Sequence, residues 1–339
     1  MTRHVVSADS PSVEKPSLTF DSSMRCVTVQ APSRLHFGLF SWGGAGRQFG
    51  GVGVMVRDPG LELIAEAAEI PQFEGVTADR IRSFCEHWTH AVGLERTPSV
   101  HWKVVKPPQE HVGLGSGTQL GLAVAAALFR LHGIAQPGSL RLATSVGRGL
   151  RSAIGAHGFV AGGLLVEPGK FADEPLSPLE ARVAVPEAWR VVLVRPRMEC
   201  GLHGAAEKSA FAALPPVPAT VSLRLRELAL EQMAPAARDG DFGRFADSLW
   251  EYGTLAGTCF APVQGGPFNG PVLTQLAYRL RELGAVGVGQ SSWGPTLFAF
   301  QPSAETAQDF VRKLQSTGEM PVDVVVTSVA NSGAVVSGE

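Results

Sequence analysis

Residues 25–30 (Arg-Cys-Val-Thr-Val-Gln) alternate apolar and polar side chains, the period-2 pattern of a half-buried strand. Residues 50–57 and 61–67 predict two further strands, set apart by Asp58-Pro59-Gly60, a strong turn signal. Apolar residues then recur at helical spacing over 78–92, and 101–105 returns to a strand that Pro107-Pro108 ends. The run 120–131 predicts a helix closed by Gly133; its alanines permit close approach to a sheet, so it should be central and buried. A second helix is expected over 140–150 and a strand over 162–166.

Residues 168–186 contain several prolines and no clear period, and mark the candidate junction between two halves. Beyond it the pattern predicts a buried strand over 189–195 and helices over 221–234 and 242–256. Leu273, Leu276, Ala277, Leu280 and Leu283 then repeat at helical spacing. Short strands over 285–289 and 296–300, a helix carrying Ala307, Phe310, Val311 and Leu314, and a strand over 323–327 complete the chain. The order helix, strand, strand, helix, strand suits a ferredoxin-like α+β domain. The expected division is a tail over 1–24, a first domain over 25–185 and a second over 186–339.

Composition narrows the function classes. With 339 residues the chain can form two domains around a cleft, and 45% hydrophobic against 18% charged residues is a compact, ordered composition. A net charge of −2 argues against a nucleic-acid protein, so any anion site must be local. Cys26, Cys85, Cys200 and Cys259 are scattered, without metal-ligand spacing, and read as free thiols in a reducing compartment. Residues 1–24 lack the apolar stretch of a signal peptide, and no run approaches the length of a membrane span. A cytoplasmic protein acting on small molecules is expected, with no nucleic-acid or membrane partner; a second copy of the chain is the one protein partner considered.

One segment carries a chemical signal by itself. Gly113-Leu114-Gly115-Ser116-Gly117 stands directly before the small-residue helix. Glycines let several backbone N–H groups converge, and the helix N-terminus adds its unpaired donors and positive dipole end; together these suit a phosphate or diphosphate. No Gly-Lys-Ser/Thr follows, so it is not a Walker A loop.

Two more segments give this loop a context: Ala31-Pro32-Ser33-Arg34-Leu35-His36-Phe37-Gly38-Leu39 and Gly287-Val288-Gly289-Gln290-Ser291-Ser292-Trp293-Gly294-Pro295. In order and spacing the three resemble the signature motifs of the GHMP superfamily (galacto-, homoserine, mevalonate and phosphomevalonate kinases). Together with Gln48-Phe49-Gly50-Gly51-Val52-Gly53, they are most similar to the β-ribofuranosylaminobenzene 5′-phosphate synthase branch. The resemblance runs from about Arg25 to about Thr327. It implies a two-domain GHMP-kinase-like α+β fold, an N-terminal domain with the glycine-rich loop and a ferredoxin-like C-terminal domain, with the site between them.

The implied reaction is decarboxylating phosphoribosyl transfer from phosphoribosyl pyrophosphate to 4-aminobenzoate or 4-hydroxybenzoate, a step of tetrahydromethanopterin biosynthesis. It releases CO2 and pyrophosphate, with Mg²⁺ expected beside the leaving diphosphate. The related kinases place an acid after the second motif; residues 148–159 here contain none and offer Arg148, Arg151 and His157 instead. That leaves an ATP-dependent kinase as the alternative, and a non-catalytic protein that binds a phosphorylated metabolite as the third reading.

By resemblance and geometry, Gly113, Leu114, Gly115, Ser116 and Gly117 are assigned to the diphosphate. Arg34 and His36 are candidates for the sugar phosphate or the aryl carboxylate, and Arg151 and His157 for anion contact. Arg47, Gln48, Gln290, Ser291 and Ser292 are candidate site-lining residues, with Trp293 a candidate ring platform. Glu207 reads first as part of a solvated helix face and only second as a metal ligand, so no metal ligand is assigned.

Overall fold

The computed structural model describes residues 20–21, 23–109, 111–197, 211, 213–318 and 320–339. The first strands are unusually long. β1 (Cys26–Leu39) pairs antiparallel with β2 (Gly51–Ala67), which runs straight through the expected turn at Asp58-Pro59-Gly60. The turn signal survives there as an irregularity. The register jumps from Ala31↔Leu61 to Ser33↔Val56, leaving extra residues on β2. Donors in this stretch are satisfied from elsewhere, Arg57 N–H by Ser328 O and Asp58 N–H by Thr327 Oγ1.

Next come β3 (Gln72–Phe73), α1 (Ala78–Val92), β4 (Val100–Lys106), α2 (Ser116–Leu131), α3 (Ser139–Ser145), α4 (Ile154–Ala161), β5 (Leu164–Glu167) and β6 (Ala181–Val183). Helix α3 stops well short of residue 150. Gly147 and Gly149 have φ of 63° and 77°, so 146–152 becomes a loop. The second half holds β7 (Arg190–Pro196) and α5 (Ala219–Glu227), which continues through a π-helical turn, Leu228–Met233, into α6 (Ala234–Asp239). Then follow α7 (Phe242–Thr258), α8 (Ala261–Gln264), α9 (Gly270–Glu282), β8 (Val288–Gln290), β9 (Leu297–Gln301), α10 (Ala304–Thr317), β10 (Val322–Thr327) and β11 (Val335–Gly338).

Two sheets result. One has the order β11-β1-β2-β4-β3, with β5 paired to both β2 and β6. The other is fully antiparallel with the order β10-β7-β9-β8, the β-α-β-β-α-β plan of a ferredoxin-like domain. The change of sheet falls between β6 and β7, while the final strand β11 returns to pair with β1 in the first sheet.

Helix α2 is buried along almost its whole length, because alanines at 123 and 125–127 let it settle on β1 and β2. Strand β1 serves two cores. Val27, Val29 and Ala31 pack in the cluster around α2, whereas Leu35 and Phe37 join Phe245, Phe298 and Phe300 of the second half. The first motif is thereby anchored in both cores. Among the described residues, no helix is long and apolar enough to cross a membrane.

Candidate active site

Three segments far apart in sequence meet at the end of α2. The Arg34 N–H donates to Leu114 O at 3.0 Å, tying the first motif to the glycine loop. Ser291, fully buried, donates through Oγ to Gly113 O at 2.7 Å and accepts from the His36 N–H at 3.1 Å. Ser292 N–H donates to His36 O at 3.0 Å. Gly113 and Gly115 have φ of 85° and 71°, where a side chain is strained. At Gly113 a Cβ would also collide with the Ser291 carbonyl, so the loop and the third motif touch backbone to backbone.

These segments border a cleft of about 600 Å³. Its walls include Arg34, His36, Thr118 in the first turn of α2, the loop 147–152, Gln290, Ser292 and Trp293. Of the glycine-rich segment none of residues 113–117 is among those lining the cleft, which α2 reaches through Thr118, and Leu114 is buried in the core. A Cβ on Gly115 would lie 3.2 Å from Arg34 Nε, so the Arg34 side chain lies against this turn. A Cβ on Gly117 would stand 2.5 Å from Arg80 Nη2 and 3.8 Å from Arg148 Nη2. Burial and then the charge of Arg80 lower the pKa of Arg148, the mark of two guanidinium groups crowded together. The first turn of α2 has no acidic residue, so these cations and the helix N-terminus together suit an anion.

The opposite wall is aromatic. Trp293 packs edge-on to Phe260, with ring centroids 5.5 Å apart, and against Phe211 at 6.2 Å; Phe211 and Phe260 line the cleft with it. The Arg151 guanidinium lies 5.4 Å from the Phe211 ring centroid. Trp293 Nε1 is buried and has no hydrogen-bond partner among the described residues.

His36 is turned differently from what its motif suggests. Both ring nitrogens have protein partners: Nδ1 accepts from the Gly38 N–H at 3.2 Å, and Nε2 lies 3.1 Å from Ser152 Oγ. Burial, then the charge of Arg34, hold its pKa well below the ordinary histidine value, so the ring is neutral. Its contribution to the cleft is a ring wall and a hydrogen-bond chain rather than a cation. Ser152 continues that chain by donating to Glu167 Oε1 at 2.5 Å, and the Ala153 N–H donates to Glu167 Oε2 at 2.8 Å. Glu167 is fully buried, and burial pushes its pKa up to about 7 against the opposing pull of those hydrogen bonds.

Other sequence candidates lie elsewhere. Arg47 pairs bidentately with Glu174 at 2.6 and 2.8 Å, donates to Gly169 O and covers the Phe171 ring. Gln48 donates to Gly44 O and Gly46 O, bracing its own loop. His157 sits between Ser139 Oγ at 3.0 Å and Ser177 O at 2.8 Å, which ties α4 to its neighbours. None of the three is among the residues lining the cleft. The Gln290 amide braces the loop at the cleft's edge, accepting from Asn269 N–H and donating to Ser292 O, both at 2.7 Å. Glu207 lies outside the described residues.

Sequence reasoning missed Thr118, Ser152, Glu167, Phe211 and Phe260. One signal was available: an acid ending the apolar run Leu164-Leu165-Val166 is an anomaly in a buried strand.

Comparisons with known proteins bear on the fold and the family. The GHMP kinases C terminal family model matches residues 233–319. Homoserine kinase from Cytophaga hutchinsonii superposes with a TM-score of 0.60 at 19% identity, over 95% of this chain and 100% of that one, which establishes the shared fold. The β-ribofuranosylphenol 5′-phosphate synthase of Methanothermobacter thermautotrophicus is 29% identical over 91% of this chain and 98% of its own length. The Archaeoglobus fulgidus protein of the same name is 31% identical over 82% and 88%. The chain therefore belongs to the β-ribofuranosylphenol 5′-phosphate synthase family.

Proposed function

We propose that the protein transfers the phosphoribosyl group of phosphoribosyl pyrophosphate to the ring carbon of 4-hydroxybenzoate that bears the carboxylate. Pyrophosphate and CO2 are released and a β-ribofuranosylphenol 5′-phosphate is formed. The phenol in the relatives' name favours the hydroxy acid over the amino acid. The observation that carries the reading is a single cleft with a cationic helix N-terminus on one side and an aromatic wall on the other.

The first step breaks the bond between C1 of the ribose and the diphosphate oxygen, whose electron pair leaves with the diphosphate. The N–H groups of the first turn of α2, with Arg34 and Arg148, are placed to hold that growing charge. The mutually inclined rings of Trp293, Phe211 and Phe260 make an apolar slot that orients the substrate ring so that its carboxyl-bearing carbon faces the sugar. Arg151, beside that slot, serves an anionic end of either substrate. Loss of CO2 then restores the aromatic ring. Among the described residues no group of three or more His, Cys, Asp or Glu side chains is placed to hold a metal ion. Mg²⁺ is accordingly proposed to enter with the donor's diphosphate, in keeping with its habit of binding through substrate phosphates, and no step is assigned to it.

The test incubates the protein with phosphoribosyl pyrophosphate, Mg²⁺ and ring-acid carboxyl-labelled 4-hydroxybenzoate and follows labelled CO2. ATP replaces the sugar donor in the control. Labelled CO2 and a ribosylated phenol with the sugar donor support the reading; phosphate transfer from ATP without CO2 would install the kinase instead. Among the described residues the cleft wall carries no Asp or Glu, which argues against that outcome.

A further inference from the structure

Glu167 is the one fully buried carboxylate among the described residues. No Lys or Arg is paired with it there; it accepts from Ser152 Oγ and the Ala153 N–H, and the Ser177 side chain and the Ile154 N–H also favour its charged form. A buried carboxylate held by hydrogen bonds but by no cation costs stability that a neutral amide of the same shape would not, so burial alone does not account for it. Its position offers an account. Ser152 stands between it and the cleft, and Ser152 lines the cleft while Glu167 does not.

The hydrogen bonds also fix a direction. The Gly38 N–H points at His36 Nδ1, so Nδ1 must be the bare nitrogen and Nε2 must carry the hydrogen. Nε2–H then donates to Ser152 Oγ, which also accepts from the Ile154 N–H at a long 3.3 Å, and the hydrogen of Ser152 is left to donate to Glu167. A hydroxyl arriving from the cleft takes the place of the Ile154 N–H, from which Glu167 also accepts. A proton arriving at Ser152 from the cleft can therefore be passed on only toward Glu167. His36, neutral and held in one tautomer, keeps the serine aligned.

Resting on the phenolic substrate read above, we propose that Glu167, acting through Ser152, stores the proton that the ring hydroxyl gives up during attack and returns it after CO2 has left. The ring hydroxyl passes its proton to Ser152 Oγ as the serine's own proton moves to Glu167 Oε1. The pair freed on the ring oxygen forms a C=O bond. The para carbon, pushed by that pair, bonds to C1 of the ribose as the C1–O bond breaks onto the diphosphate. The intermediate is a cyclohexadienone whose tetrahedral carbon bears both the sugar and the carboxylate. The carbon–carboxylate bond then breaks, its pair re-enters the ring and CO2 departs. The ring oxygen, now a phenolate, recovers a proton from Ser152, which is refilled from Glu167. No proton is consumed overall and no oxidant or reductant is needed.

Burial places Glu167 near pH 7, where a base can both accept and return a proton. Of the titratable groups on elements packed against β5, neutral His36 on β1 and Tyr252 on α7 face it; burial raises the pKa of Tyr252 well above the usual phenol value, so it stays protonated. His157 on α4 is engaged by Ser139 and Ser177, and Arg182 on β6 by the carbonyls of Ala161, Gly162 and Asn331. The stretch of β2 paired to β5, residues 51–54, carries no titratable side chain.

The experiment measures CO2 release from 4-hydroxybenzoate and phosphoribosyl pyrophosphate in the wild type, Glu167→Gln and Ser152→Ala, from about pH 6 to about pH 10 so that carboxyl and phenol ionisation are both spanned. Wild-type turnover should fall as the pH drops through about 7, because the store is then already filled. Either variant should lose roughly 10²- to 10⁴-fold in kcat at neutral pH with the KM of the sugar donor little changed. Each should lose the inflection near 7 and regain rate only as the free phenol ionises by itself, toward about pH 10. A loss that is the same at every pH, or a retained inflection near 7 in Glu167→Gln, would overturn the relay while wild-type turnover leaves the reaction standing. A wild type that releases no CO2 removes the reaction and the relay together. Should Glu167→Gln fail to fold, Ser152→Ala, a loop substitution, carries the same test.

Discussion

The Ser291 hydroxyl donates to the Gly113 carbonyl at 2.7 Å and accepts from the His36 N–H at 3.1 Å, so one buried side chain binds all three signature segments. Ser291→Ala leaves a buried acceptor on Gly113 and a buried donor on His36. Each such orphan costs about 1–3 kcal/mol. The variant should unfold at a lower denaturant concentration with an unchanged slope. Its KM for the sugar donor should rise with the loosened glycine loop. Wild-type stability together with wild-type KM would show that the three segments hold together without this serine.

Gly115 sits at φ 71° with the Arg34 stem against it, and it starts α2. Gly115→Val asks a β-branched residue for a left-handed conformation and pushes Arg34 aside. Donor binding should suffer more than folding. The shift in Tm that phosphoribosyl pyrophosphate produces by mass action in the wild type should shrink or vanish in the variant. ATP should produce a smaller shift than the sugar donor in the wild type. An undiminished donor shift in Gly115→Val would remove the loop from the anion site.

How far the site could be read from the chain depends on the range of the interactions involved. The glycine loop, α2 and the third motif were legible because positive φ and close backbone approach demand glycine locally: Gly113 meets both demands and Gly294, packed against the Gly113 backbone, the second. The βαββαβ half was legible from periodicity alone, since each of its elements buries one face. The loop 146–152 was not, because the helical spacing of its apolar residues continues past the glycines that end α3. Arg47 and His157 read as cleft residues only while Glu174 and Ser177, their partners in space, were unknown. Glu167 was hidden for the opposite reason: its link to Ser152 bridges a strand and a loop, and no local pattern encodes that pairing.

The same glutamate makes stability depend on pH in a definite direction. Its carboxyl titrates near about 4.3 in an unfolded chain and at about 7 in the fold. With the folded value raised, its favourable contribution is full below the unfolded pKa and is lost as pH rises through about 7. The loss is on the order of 3 kcal/mol, from about 1.4 kcal/mol per pKa unit. Glu167→Gln cannot titrate there. The variant's unfolding free energy relative to the wild type should therefore climb by about that amount between about pH 4 and about pH 8. Urea titrations at both ends measure it, and a constant difference would mean the buried carboxyl keeps its ordinary pKa.

Arg34 is placed where the growing negative charge is expected. Its backbone is clamped to Leu114, its stem lies on Gly115, and its side chain reaches the cleft wall beside the first turn of α2. A planar guanidinium pairs two oxygens of a phosphate at once, and the field is strongest where water is excluded. Arg34→Ala keeps the strand hydrogen bonds, which run through backbone, and should fold as the wild type does by circular dichroism. It should lose on the order of 2–4 kcal/mol of transition-state stabilisation, roughly 30- to 1000-fold in kcat/KM for the sugar donor. Arg130, near the far end of α2 and outside the cleft, is the control: Arg130→Ala should retain turnover. Near-normal turnover in Arg34→Ala would take the first motif out of the chemistry and leave Arg148 and the helix terminus to hold the diphosphate alone.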